Sequence, residues 1–304
     1  MWVRFAAVAL LAGCSASQNW VAGPVATRSK LVKREPATTA GDLLYVTNST
    51  TVEVFSYPRG KLVQTLDGFD FPKGVCADAA GNVWVADTFN DELKEFAHGG
   101  KSPEQVLADT AGRPMGCAVD PLTGNLAVIN GSIPASVAIY PKATGEAAYY
   151  VDKAFDSYVG CVYGDNGDLF VDGQGGDSGQ TFELAALLAS APAFEPITID
   201  RSIAFAGGLG WDGKQLAVGD HISGSVDEFT ISESRGRLQH TTKLHGNAYT
   251  SQFWIQNGAI VSGNSYYGEV HIWPYPKGGR PKRTIVRRDF FPYAVAVSAG
   301  TRQK

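Results

Sequence analysis

The chain has 304 residues, of which 44% are hydrophobic and 18% are charged, and its formal net charge is −4. This composition can bury a large core. Residues 1–40 hold five of the 26 basic residues and one of the 30 acidic residues, so the rest of the chain carries a charge near −8. Such an acidic domain disfavours nucleic acid as a partner.

Residues 1–13 have the pattern of a secretory signal, with a positive charge at Arg4, an apolar run and then small residues. The apolar run is far shorter than the roughly 20 residues that a membrane-spanning helix needs. The ending Leu11-Ala12-Gly13-Cys14 resembles the lipobox of bacterial lipoproteins. That resemblance implies cleavage before Cys14 and its acylation, whereas in an ordinary secretory signal Cys14 would be incidental.

Residues 14–40 are rich in Ser, Ala, Thr and Pro without a sustained period, which is typical of a flexible tether. The folded domain is expected over residues 41–304. We therefore expect an exported, lipid-anchored protein of the bacterial cell envelope, at the outer membrane or the periplasmic face if the cell is Gram-negative. We expect it to be a monomer that meets the membrane through its anchor.

Residues 74–96 form the unit that the domain repeats. Short Val-rich runs alternate with turn residues, first at Gly81-Asn82 and then after Asp87, which predicts consecutive antiparallel strands. The turn glycine recurs at intervals of 40 to 46 residues, at Gly41, Gly81, Gly124, Gly167, Gly213, Gly258 and Gly300. The third strands are expected to end on large apolar residues, at Phe55, Phe96, Tyr140, Leu184, Phe229 and Trp273.

A repeat of 40 to 50 residues that carries several strands is typical of a β-propeller blade. The chain ends with an innermost-strand pattern around Val295 that lacks the rest of its blade, while Gly41 begins a blade that lacks its innermost strand. We predict that the two pair and close the ring, which removes exposed edges. The predicted fold is all-β, with six four-stranded antiparallel blades.

The stretch D-x-x-G-N-V-x-V-A-D at residues 78–87 resembles the NHL-repeat and regucalcin-like six-bladed propellers, and the resemblance covers about residues 41–300. Regucalcin-like lactonases hold a metal with a Glu, an Asn and an Asp, and Asp220 matches the Asp. Ala206-Gly207-Gly208 replaces the Pro-Asn-Gly lead-in of that family, and no convincing Asn or Glu partner stands in the corresponding places. A metal-dependent lactonase or hydrolase is therefore the enzyme alternative.

Each second strand is predicted to end in a carboxylate or amide on one face of the ring, at Asn48, Asp87, Asn130, Asp172, Asp220 and Asn264. Such oxygens suit a hard cation such as Ca²⁺. The alternative is that they bond nearby backbone amides and fix the turns. No pair of histidines has the spacing of metal ligands. His221 is the one histidine predicted to lie at the ligand face, because it follows Asp220.

Aromatic residues precede the innermost strands, including Phe71, Tyr158, Tyr249 and Phe291. They are predicted either to line the channel mouth and bind a ligand or to pack between blades.

Of the remaining cysteines, Cys76 and Cys117 are predicted to face each other across adjacent blades and form a disulfide. The alternative is that Cys76, Cys117 and Cys161 are all free thiols. No catalytic set can be assembled.

The segment from Lys277 through Arg280 and Lys282 to Arg283 is a basic island in an acidic domain, either a solvated turn or a surface that faces anionic lipid. The function expected from these patterns is a binding or scaffold module that acts through its loop face. The alternatives are the lactonase described above and a structural surface protein of an envelope assembly.

Overall fold

The computed structural model describes residues 41–246 and 251–300. The predicted signal, the tether with Cys14, and Tyr249 lie outside these residues. Within the described ranges the chain forms 25 β-strands, one 3-10 turn at Pro141–Ala143 and no α-helix. No helix in the described part of the chain is long and apolar enough to cross a membrane.

The strands of the first half are grouped by blade. They are β1 (Leu43–Thr47), β2 (Val52–Ser56) and β3 (Lys61–Leu66) in blade one; β4 (Pro72–Ala77), β5 (Val83–Asp87), β6 (Glu92–Phe96) and β7 (Gln105–Ala108) in blade two; and β8 (Pro114–Val119), β9 (Leu126–Asn130), β10 (Ser136–Tyr140) and β11 (Ala148–Tyr150) in blade three.

The second half continues in the same way. Its strands are β12 (Phe155–Tyr163), β13 (Leu169–Gly175), β14 (Thr181–Leu187) and β15 (Glu195–Pro196) in blade four; β16 (Thr198–Ile199), β17 (Ala206–Trp211), β18 (Leu216–Asp220), β19 (Ser225–Ser232) and β20 (Arg235–Lys243) in blade five; β21 (Phe253–Gln256), β22 (Ala259–Asn264), β23 (Glu269–Pro274) and β24 (Arg283–Val286) in blade six; and finally β25 (Val295–Ser298).

The fold is a six-bladed β-propeller, as predicted. Strand β25 pairs antiparallel with β1, with Val295 opposite Val46 and Val297 opposite Leu44, so the last strand completes blade one. The innermost strands β4, β8, β12, β17, β21 and β25 contact one another in a ring. Blade five carries one addition, because the short strand β16 pairs in parallel with β20.

The second strand of each blade is the most deeply buried, because neighbouring blades cover both of its faces. Every residue of β1, β5, β9, β13 and β18 is buried. The hydrophobic core is therefore divided among the blade interfaces. One cluster joins Tyr45 to Val75 and Val85 between blades one and two, and another joins Phe55 to Val261 between blades one and six.

The turn glycines work as the repeat requires, and five of the seven have φ between 69° and 93°, at Gly81, Gly124, Gly167, Gly213 and Gly258. This is the left-handed region that only glycine adopts without strain. Two predicted strand ends are wrong, because Leu184 and Phe229 each lie three residues before the last residue of their strands, β14 and β19. Leu184 pairs with Asp172, and Leu187 instead lies opposite Leu169, because the β13–β14 hairpin is longer than its equivalents.

Candidate functional site

The ring has two faces. The mouth face carries the loops that precede the innermost strands and those that follow the second strands, and the opposite face carries the remaining turns. Five of the six predicted polar residues lie at or directly after the mouth-face ends of the second strands, whereas Asp172 lies within β13, which continues for three residues to Gly175. Asp87, Asn130, Asp172, Asp220 and Asn264 are buried.

Most of these polar side chains hold loop backbone. Asp220 Oδ1 accepts hydrogen bonds from the amides of Ile222 and Ser223 at 3.1 and 3.3 Å, and its Oδ2 accepts one from Ala204 at 3.3 Å. Asn264 Oδ1 accepts hydrogen bonds from Tyr266 and Tyr267 at 3.0 and 3.2 Å. These are the bonds of Asx-type turns.

The other blades vary this arrangement. Asn48 Oδ1 accepts a hydrogen bond from the Phe291 amide at 2.8 Å, and Asp87 Oδ1 accepts one from the Asp70 amide at 2.7 Å. Asp87 also forms an ion pair with Lys94. The amide of Asn130 donates to the carboxylate of Asp109 at 3.5 Å. In the described residues, no group of three or more His, Cys, Asp and Glu side chains is arranged to hold a metal ion.

Asp172 differs from its equivalents. Its Oδ2 accepts a hydrogen bond from the Gly208 amide at 3.1 Å, while its buried Oδ1 has no hydrogen-bond partner among the described residues. Burial raises the pKa of Asp172 to about 7, because a carboxylate away from water loses its hydration. This carboxyl lies behind the innermost strand β12, opposite Gly160.

A pit of about 310 Å³ opens at the centre of the mouth face. Its walls come from the innermost strands and the loops around them, and it is lined by Lys73, Met115, Tyr158, Val159, Phe205, Ala206, His221, Ser251, Gln252, Ser265 and Tyr293. Tyr158 and His221, two of the residues predicted for the loop face, both line this pit. The neighbouring Asp220 does not line the pit, and its carboxylate oxygens accept hydrogen bonds from backbone amides instead.

Four consecutive blades break their strand register at the edge of this pit. In β4, Pro72 faces Asp87 and Gly74 faces Ala86, so Lys73 is an extra residue without a partner in β5. The same break leaves one extra residue at Met115 in β8 and at Val159 in β12, and in β17 the two residues Gly207 and Gly208 lie opposite the single residue Gly219 of β18. A bulge redirects the extra side chain out of the sheet, and here Lys73, Met115 and Val159 line the pit.

Glycines at the bulges let the innermost strands converge below the pit. A Cβ on Gly74 would lie 2.5 Å from the Cα of Gly116, and a Cβ on Gly160 would lie 2.7 Å from the Cα of Gly208. At the equivalent place in blade six, Gln252 donates a side-chain hydrogen bond to the Met115 carbonyl at 2.9 Å. Gln252 lines both the pit and a cavity of about 140 Å³ among the innermost strands, so it lies between the two.

A stack of aromatic rings and cations forms one wall of the mouth. The rings of Phe71 and Phe89 stack with centroids 5.0 Å apart, and Phe71 also meets Tyr293 at 5.1 Å. Lys73 Nζ lies 5.8 Å from the Phe71 centroid, and Arg113 lies 5.7 Å from that of Phe89. These distances are in the range of cation–π attraction.

Phe71 and Arg113 both adopt strained backbone. Their φ values are 59° and 61°, a region that non-glycine residues avoid, and each precedes the proline that begins an innermost strand. Backbone strain of this kind costs on the order of 1–3 kcal/mol and is often stored at functional sites. At both positions the strained residue lies two places before the bulged one, Lys73 or Met115.

Exposed apolar side chains surround the pit. Of the 13 exposed large hydrophobic residues in the described chain, six lie in mouth-face loops. We call them the apolar rim: Phe89, Ile133, Ile222, Tyr266, Tyr267 and Phe291. Two others, Leu122 and Leu188, lie in turns of the opposite face, and the rest lie on or beside outer strands. Of the predicted aromatics, Phe291 belongs to this rim, whereas Phe71 is half-buried and Tyr158 is buried against Phe155.

Three of the chain's four cysteines line the inner cavity. Cys76 and Cys117 form a disulfide between the innermost strands of blades two and three, with their Cα atoms 5.6 Å apart. Cys161 is a free thiol that lines the same cavity. Burial and the nearby Asp172 raise the pKa of Cys161 to about 12, which suppresses the reactive thiolate.

Sequence reasoning missed Lys73 and Gln252. A local signal existed for Lys73, since Phe71-Pro72-Lys73-Gly74 matches Arg113-Pro114-Met115-Gly116 at the same point of the repeat. The residue between Pro and Gly is the bulged one in both blades. For Gln252 the partner lies in a blade on the other side of the ring, and no local pattern indicates that contact.

Comparison with known structures agrees with the fold. A chain in the crystal structure of a nidogen/laminin complex superposes with a TM-score of 0.71 at 13% identity, covering 86% of this chain and all (100%) of that chain. A chain of hydrazine synthase from Kuenenia stuttgartiensis superposes with a TM-score of 0.61 at 16% identity, covering 77% and 80%. At these identities the likeness shows the fold alone. No protein-family model and no curated protein matches the chain.

Proposed function

We propose that this chain is an envelope-anchored β-propeller that binds a partner through its mouth face. The apolar rim carries the proposal. Ile133 is 98% exposed and Tyr266 is 81% exposed, and the six rim residues come from five different loops around one pit. Exposed apolar side chains gathered in one region commonly mark interaction sites, and loops on a rigid scaffold are the usual place for them.

The proposed location in the envelope is supported by two features besides the lipobox-like ending. Disulfides form and persist in oxidising compartments, and Cys76 and Cys117 form one in this chain. The described chain also begins at the opposite face, since β1 starts there next to Gly41. A tether from that side would leave the mouth face directed away from the membrane.

The proposal is tested by site-specific photocrosslinking in cells that make the protein. A benzophenone amino acid replaces Phe89, Tyr266 or Phe291 in the rim, and Val106 or Leu122 outside it as exposed apolar controls. We expect discrete adducts of one size from the rim positions and none from the controls. Adducts from the controls alone, or equally from all five positions, would contradict a binding mouth face.

A further inference from the structure

The pit has one strongly basic side chain and no acidic one. Among the described residues that line it, Lys73 is the only lysine or arginine, and none is Asp or Glu. Lys73 is half-buried, and it forms no ion pair with any described residue. Its ammonium group lies over the face of the Phe71 ring.

The surroundings of Lys73 disfavour its charge. Burial, and secondarily the positive charge of Arg113, lower the pKa of Lys73 from its ordinary value. Burial disfavours the charged ammonium because it removes water from it, and the positive charge of Arg113 repels it, while no counter-ion offsets either effect. The bulge makes this placement specific, because the equivalent residues of blades three and four are the neutral Met115 and Val159.

The remaining walls offer an apolar body a place to lie. Met115, Val159, Phe205 and the Tyr293 ring are apolar surfaces of the pit. Tyr158 also lines the pit, and its hydroxyl accepts a hydrogen bond from the Asp152 amide at 3.4 Å. The floor is closed by Gln252 and the converging glycine backbone, so a ligand enters only from the mouth face.

We infer that the pit binds a small organic anion, a carboxylate carried on an apolar or aromatic body, with the carboxylate at Lys73. The anion supplies the counter-charge that the ammonium lacks, and the ring or chain fills the apolar part of the pit. This inference rests on the proposed function, because it names the ligand class of the same face. It does not require the apolar rim to contact a protein.

The probes are phenylacetate and its neutral isostere phenylacetamide, titrated calorimetrically into the folded protein. A hydrogen bond to a charged group is stronger than a neutral one by enough to give about a tenfold preference for phenylacetate. Lys73→Met should abolish that preference, and it should fold because Met115 occupies the equivalent position of the next blade. Lys153→Met removes an exposed lysine outside the pit and should leave the preference unchanged.

A second variant tests whether the probes bind inside the pit. Val159→Phe narrows the pit and should weaken both probes without removing the charge. Equal affinity of the parent for the two probes, a preference that survives Lys73→Met, or no binding of phenylacetate at millimolar concentration would overturn the inference. Inorganic phosphate that competes as well as phenylacetate would also overturn it, since the apolar body would then contribute nothing. The crosslinking from the apolar rim does not depend on these titrations, so partner binding at the mouth face and carboxylate binding in the pit can each fail without the other.

Discussion

Gln252 and Met115 meet across the central channel, where the Gln252 side-chain amide donates to the Met115 carbonyl oxygen at 2.9 Å. They belong to blades six and three, which face each other in a ring of six. The bond therefore spans the ring at its narrow end and separates the mouth-face pit from the inner cavity.

Replacing Gln252 by Leu removes this bond while keeping most of the side-chain volume. We expect the free energy of unfolding to fall by about 1 kcal/mol, the usual net value of one hydrogen bond, as measured by denaturant titration. Gln239→Leu is the control, since Gln239 is exposed and its side-chain amide donates to the nearby Arg237 carbonyl; surface changes of this kind usually stay within about 0.5 kcal/mol. If the two substitutions lowered the free energy of unfolding equally, the cross-channel bond would contribute no more to stability than a surface hydrogen bond.

The architecture was predictable from the sequence because its signals are local. A turn glycine such as Gly81 and a Val-rich strand such as 83–85 repeat in every blade, and the unpaired pattern at Val295 indicated closure. The pit was not predictable in the same way. Lys73 lines it because of a register break that depends on how closely Gly74 approaches Gly116 in the folded ring.

The polar residues illustrate the same limit. The sequence predicted correctly that Asp220 and Asn264 end equivalent strands, but the same prediction for Asp172 is wrong, because β13 continues to Gly175. Asp220 and Asn264 hold loop amides, while Asp172 is buried with one oxygen unpaired among the described residues. The difference comes from the greater length of β13, which places Asp172 within the sheet, where its partner is the Gly208 amide of the next blade.

Asp172 should make the protein less stable as pH rises. Its carboxyl has a pKa of about 7 in the folded chain and about 3.9 when unfolded. Between these values the unfolded state has lost its proton while the folded state keeps it, so stability falls with increasing pH until the folded group ionises near pH 7. At about 1.4 kcal/mol for each pKa unit, the loss is on the order of a few kcal/mol.

The measurement compares Asp172→Asn with the parent by denaturant unfolding at several pH values from 4 to 8. The variant cannot ionise, so its stability relative to the parent should rise across this range, whatever constant cost the amide adds. Asp165→Asn, at an exposed aspartate of the opposite face, is the control and should give a small, flat difference. A flat difference for Asp172→Asn would show that this carboxyl ionises normally in the folded protein.

The disulfide should stabilise the ring. Cys76 and Cys117 are 41 residues apart, and closing a loop of that length in the unfolded chain is worth about 3–4 kcal/mol. Reductant should lower the free energy of unfolding of the parent by this amount and should have no effect on the Cys76→Ala, Cys117→Ala double variant. Cys161→Ala should respond to reductant as the parent does. A non-reduced peptide map that links Cys161 to either partner would refute this pairing.

The basic island should bind anionic membranes. Lys277, Arg280, Lys282 and Arg283 are exposed and form no ion pair among the described residues. They lie in or next to the hairpin between β23 and β24, on the opposite face. Gly60 packs against Arg283 and Ile285, which brings the exposed Arg59 and Lys61 of blade one beside them.

Protein produced from residue 15 onward, without the acyl chain, is mixed with vesicles of neutral lipid alone or with anionic lipid added. Each cation near the surface contributes about 1 kcal/mol, so reversing all four island charges to Glu should weaken binding to anionic vesicles by about 100-fold or more. The control reverses four exposed cations that lie outside the turns of the opposite face, Arg113, Lys153, Arg237 and Arg288, and so has the same net charge. If the control loses as much affinity as the island variant, net charge alone drives binding and the opposite face has no orienting role.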